Sequence, residues 1–102
     1  MREARFGAHD RSMNRYLIER NVPGAGKLTP DELHGLAATS NTAIATLNGR
    51  VQWVHSYVTD DAITCEYLAA DEDAVREHGR CGGFPVDAVR RIGTVIDPMT
   101  GA

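Results

Sequence analysis

The side chains in this sequence that could hold a metal ion or move a proton gather in two short stretches. The first is Val51-Gln-Trp-Val-His-Ser-Tyr-Val58, which alternates Trp53, His55 and Tyr57 with Val54, Ser56 and Val58. That is the period-two pattern of a strand. The chain reverses at Thr59-Asp-Asp-Ala62 and returns through Ile63-Thr-Cys-Glu-Tyr-Leu68, which favours a hairpin. With Asp60-Asp61 at the centre of the turn, Tyr57 falls opposite Thr64 and His55 opposite Glu66. An imidazole facing a carboxylate can ligate a divalent ion through a neutral ring nitrogen, or serve as a general base. The same pair also suits a histidine that only hydrogen-bonds its neighbour, so spacing alone leaves both readings open.

The second stretch is Glu77-His78 with Cys81. On a helix, residues three or four apart are neighbours, so His78 stacks above Ala74 and Val75, whereas Glu77 lies above Asp73. His78 then leans to the buried side and Glu77 to the exposed side, about 100° away round the helix. Glu77 also has the spacing of an ordinary ion pair with Arg80, and His78 that of a histidine at a helix end. His-x-x-Cys suits a soft divalent ion but is half of a structural zinc site, which needs four ligands. Cys65 reads as a buried core thiol. Glu19 sits on a strand with no clean face, His34 is expected in solvent, and His9 lies in the N-terminal tail. A serine nucleophile on a strand-to-helix turn, a P-loop and a dinucleotide fingerprint are all missing.

The elements that must position these residues can be read in order. Residues 1–12 carry five charged side chains and a single large apolar one, Phe6, and read as a flexible tail. Met13 is an alternative start, and residues 13–102 read as one domain. Arg15–Arg20 is the first strand, ended by the Pro- and Gly-rich Asn21–Gly26. Thr29-Pro-Asp-Glu32 opens a helix, with Thr29 as N-cap, Pro30 in the first position and Glu32 closing a capping box. Apolar spacing carries this helix to Leu47, and Asn48-Gly49 stops it. The hairpin follows. A second helix starts after Asp71 and is expected to fail at Gly79. Val86–Arg90 could add one helical turn, and Arg91–Ile96 is the expected last strand.

The order β-α-β-β-α-β predicts an α+β, ferredoxin-like sandwich: a four-stranded antiparallel sheet with both helices on one face. In the expected register one face holds Trp53, His55, Tyr57, Thr64, Glu66 and Leu68. The other holds Val54, Ser56, Val58, Ile63, Cys65, Tyr67 and Ala69, which is the better core and belongs beneath the helices. Trp53 and Tyr57 would then be exposed together, and such a patch favours a homodimer.

Composition sets the outer bounds. The 102 residues suffice for one domain, with 42% hydrophobic and 25% charged side chains. The net charge of −3 argues against nucleic acid, and the short apolar runs argue against a membrane span. Two cysteines and the lack of a signal-like N-terminus lead us to expect a cytoplasmic protein with free thiols.

Several segments carry a family resemblance: Tyr16–Pro30, Val51–Val58, Arg76-Glu-His78 with Gly82-Gly-Phe-Pro85, and Val95-Ile-Asp-Pro98. Over about Asn14 to Thr100 the chain resembles the small actinobacterial nickel-binding proteins of ferredoxin-like fold. The resemblance implies a dimer that binds nickel and has no established enzymatic activity. His55, Glu77 and His78 fall in matching segments, and Glu66 and Cys81 complete the candidate metal ligands. The family often has a cysteine where this chain has Asn41, and a basic residue where it has Cys81. Imidazole and carboxylate ligands suit nickel, zinc and copper alike. The leading expectation is therefore a dimeric metal-storage, buffering or sensing protein. The alternative is a small cofactor-free monooxygenase- or isomerase-like enzyme using a pocket around His55, with His55, Tyr57 and Glu66 as acid–base groups.

Overall fold

The computed structural model describes residues 13–102. The expected flexible tail, residues 1–12, lies outside the described residues. Strands β1 (Asn14–Asn21), β2 (Val51–Val58), β3 (Ala62–Ala69) and β4 (Ala88–Ile92) form one sheet, and helices α1 (Pro30–Ala45) and α2 (Glu72–Gly82) cross one of its faces. The sheet order is β2-β3-β1-β4, with the β1–β3, β2–β3 and β1–β4 pairs antiparallel. This is the expected α+β ferredoxin-like arrangement.

Local chemistry accounts for the helix starts. Thr29 Oγ1 accepts the Glu32 amide at 3.2 Å, and Glu32 Oε1 accepts the Thr29 amide at 2.8 Å, so two otherwise orphaned donors are satisfied. Asp71 Oδ1 accepts the Ala74 amide at 2.8 Å and caps α2, here without a returning bond because the third helical residue is an alanine. After α1, Asn48 and Gly49 take positive φ angles of 53° and 78°, turning the chain into β2.

Helix α2 does not fail at Gly79 but continues to Gly82, and the reason is tertiary. A Cβ at Gly79 would lie 2.7 Å from Val86 Cγ2, and one at Gly82 would lie 2.3 Å from the Phe84 ring. These glycines leave room for the loop that folds back over the helix. Gly83, at φ 72°, then ends it, with Gly83 N–H donating to Arg80 O and Phe84 N–H to Gly79 O.

The last strand also differs from expectation. Val86–Arg90 forms no helical turn: β4 begins at Ala88 and ends at Ile92. Its ladder with β1 stops at Arg15↔Ile92 because β1 itself begins at Asn14, so Thr94–Ile96 finds no partner strand. Val95 and Ile96 are left exposed.

The hairpin register is the expected one near the turn, with Tyr57↔Thr64 and His55↔Glu66. It breaks between Trp53 and His55, where a bulge at Val54 brings Trp53 opposite Tyr67. A bulge inserts one unpaired residue and reverses the side-chain alternation beyond it. Trp53 therefore faces the helices, packed against the core, and not the open face. Val54 is exposed. The core beneath the helices is built on Ile18, Val51, Tyr67, Ala74 and Val75. Fully burying one such aliphatic side chain contributes about 2 kcal/mol.

Candidate metal centre

The five expected metal ligands fall in three places. His55 and Glu66 meet on the open face of the sheet, with His55 Nε2 3.3 Å from Glu66 Oε1. The strand pairing that places them opposite each other is the cause, and it holds because the bulge lies on the far side of His55. The His55 side chain is 48% exposed and that of Glu66 is 15% exposed. Tyr57 contacts the His55 ring edge-on, with centroids 5.0 Å apart. Glu66 is also paired through its other oxygen, Oε2, with Arg15 Nη1 from β1. Arg15 thus holds the carboxylate in place and competes with any cation for it.

Glu77 is elsewhere, on the outer side of α2, where its Oε1 pairs with Arg50 Nη1 at 3.1 Å. Arg50, and not Arg80, is its partner. Cys81 is exposed on the same helix and Cys65 is buried, both as free thiols. Among the described residues, no three His, Cys, Asp or Glu side chains are close enough to hold one metal ion.

His78 lies inside the molecule, fully buried beneath α1. Its Nε2 is 3.0 Å from the Ser40 hydroxyl, and its ring sits between Tyr67 and Phe84 at centroid distances of 5.0 and 5.6 Å. Its Nδ1 has no partner. Burial in the first place, and the Arg20 guanidinium in the second, push its pKa from 6.5 down to about 4. The structure thus places His78 in the core, held by Ser40 and the two rings and apart from the other candidates.

Sequence reading passed over Arg20. It is only 3% exposed, alternating in phase with the buried Tyr16 and Ile18 along β1. That phase is the signal that could have found it. Arg20 Nη1 donates to Pro85 O at 2.6 Å, Nη2 to the Tyr67 hydroxyl at 3.3 Å, and Nε to Cys65 Sγ at 3.5 Å. The Tyr67 phenol is pushed up to about 12 by burial and then by Cys65, against the opposing pull of Arg20. A cavity of about 360 Å³ lies next to these groups, between α1 and the sheet. Trp53, Cys65 and Tyr67 line it; His55, Tyr57 and Glu66 do not. This cavity lies on the opposite side of the sheet from His55, Tyr57 and Glu66, so it is not the pocket expected around His55. Among the described residues, no helix is long and apolar enough to cross a membrane.

Comparison with known proteins agrees with this fold. No curated protein matches the chain. The crystal structure of SCO4226 from Streptomyces coelicolor A3(2) superposes with a TM-score of 0.67 at 15% identity, covering 80% of this chain and 99% of that one. At that identity the likeness speaks for the fold alone. The family model described as nickel responsive protein, SCO4226-like, matches residues 16–92. The chain belongs to the SCO4226-like family of nickel responsive proteins.

Proposed function

We infer that this protein binds nickel, or a similar divalent transition metal, on the open face of its sheet, and that it acts in metal sensing, storage or buffering. The single observation that carries this reading within the structure is the His55–Glu66 pair, 3.3 Å apart on a face without helices. An imidazole nitrogen and a carboxylate oxygen are a donor set that nickel, copper and zinc all accept. The family to which the chain belongs makes nickel the first ion to test.

Two donors are half of a site. A second copy of the chain, docked by its open face, would supply the other half and cover the 58%-exposed Tyr57. The exposed Val95, Ile96 and Met99 add apolar surface that such a partner could bury. In this reading His55 and Glu66 hold the ion, which displaces Arg15 from the Glu66 carboxylate, and Glu77, His78 and Cys81 are not needed. The bound ion would supply charge neutralisation across the subunit boundary, coupling metal loading to assembly.

Calorimetry of untagged protein with nickel, together with its mass in solution, tests the reading. Saturable binding that disappears in His55→Ala, with a dimer mass in the loaded state, is expected. Undiminished binding in His55→Ala and Glu66→Gln would remove the ion from this face. A monomer that binds nickel fully would remove the shared site.

A further inference from the structure

The cavity beneath α1 has a property that metal binding leaves unused. Its floor carries a guanidinium, that of Arg20, which is 97% buried and has no carboxylate partner among the described residues. The three acceptors it does have are a carbonyl, a phenol and a thiol, all neutral groups. Arginine is rarely buried unless paired, and here the charge meets only these acceptors and the faces of Phe84 and Tyr67, 5.3 and 6.0 Å from Cζ.

The quality of these contacts differs from one edge of the guanidinium to the other. Nη1 is well held by Pro85 O at 2.6 Å. The Nε and Nη2 edge, which can present two parallel N–H groups, meets only the Cys65 sulfur at 3.5 Å and the Tyr67 hydroxyl at 3.3 Å. The contact to Tyr67 is long for an N–H···O bond, and the thiol is a weak acceptor. Cys65 and Tyr67 are themselves cavity-lining residues, so this poorly satisfied edge borders the empty space. A carboxylate has the fork geometry that such an edge binds with two hydrogen bonds.

The rest of the cavity defines the remainder of the ligand. Leu33, Leu36 and Ala37 of α1 form one wall, and Trp53 and Phe84 present aromatic surface. The volume of about 360 Å³ is within the range of small-molecule sites, and it exceeds by about twofold a cavity known to hold one benzene ring. Exposed Val58 and Pro85 are on the lining, which gives the space a route to solvent. We propose that the cavity between α1 and the sheet binds a one- or two-ring aromatic monocarboxylate, its carboxylate on the Nε and Nη2 edge of Arg20 and its rings between the α1 leucines and Trp53. The site is separate from the open face, since none of its lining residues belongs to the His55–Glu66 pair.

Isothermal calorimetry of the full chain with 1-naphthoate and its neutral analogue 1-naphthamide tests this proposal. Saturable binding of one naphthoate per chain is expected, with the amide weaker by about tenfold or more because it forfeits the charge-assisted pair. Arg20→Gln should weaken naphthoate by about tenfold and leave the amide unchanged. Ala37→Trp, which fills the cavity from α1, should abolish binding of both. No saturation of the unmodified protein by naphthoate up to about 5 mM, equal affinity for acid and amide, or full naphthoate affinity in Ala37→Trp would each overturn the proposal. The acid-to-amide ratio is read on the unmodified chain, so the result decides the matter even if Arg20→Gln does not fold.

Discussion

The two faces of this sheet carry nearly the same residue types and put them to opposite uses. On the open face His55 and Arg15 both converge on Glu66, and water reaches the group. On the helix face His78 and Arg20 have no acidic residue between them, and both are buried. An arginine paired with a carboxylate leaves the histidine free to take a cation. An unpaired arginine in low dielectric keeps its neighbouring imidazole neutral and favours an anion instead. Residue type alone therefore does not equate two histidines on opposite faces of one sheet, even in a family of nickel responsive proteins. Which side of the sheet each occupies, and what charge stands beside it, decides the matter.

The largest effect that separates the faces should come from His78→Ala. Removing a fully buried ring packed between Tyr67 and Phe84 should lower stability by about 3 kcal/mol, read by denaturant unfolding. Nickel affinity of the protein that remains folded should stay the same. A large loss of nickel binding without loss of stability would break the comparison by making His78 a ligand.

Acidification gives a comparable signal from the same residue. The folded His78 pKa of about 4 lies below the 6.5 of the unfolded chain, so between these values only the unfolded state takes up the proton. Stability is complete above pH 6.5 and falls as the pH drops towards 4, by up to about 3 kcal/mol for this group. Unfolding midpoints measured across this window should show the slope, and His78→Phe should flatten it. An unchanged slope in that variant would assign the proton uptake to another group.

His55→Ala should do the reverse of His78→Ala. Nickel affinity should drop at least tenfold, about 1.4 kcal/mol, while stability changes by no more than about 0.5 kcal/mol because the side chain is half exposed. Calorimetry and thermal unfolding on one preparation read both.

The smallest effect sharpens the role of Arg15. Arg15→Ala removes the cation competing for Glu66 and should raise nickel affinity about threefold. A fall in affinity would instead mean that Arg15 positions the carboxylate for the ion.

Much of this molecule follows from local sequence. The capping box at Thr29 and Glu32, the Asp71 cap, and the hairpin pairing of His55 with Glu66 all rest on contacts within a few residues or across one tight turn. The βαββαβ order comes from hydrophobic period and turn residues, and it determined the sheet topology as well. Other features depended on distant partners. Gly79 and Gly82 lie within the helix, and Val86 and Phe84 come back to occupy the space their missing side chains leave. The last strand begins and ends where β1 allows it to pair. The Val54 bulge turned Trp53 inward, converting an expected interface residue into a cavity wall. His78 and Arg20 took their character from burial, which no spacing rule reports. Residue spacing was enough to say which side chains could meet across a turn or along a helix. Which of them lost water depended on packing between distant segments, and for charged and titratable groups that desolvation sets whether they bind a cation, hold an anion or remain part of the core.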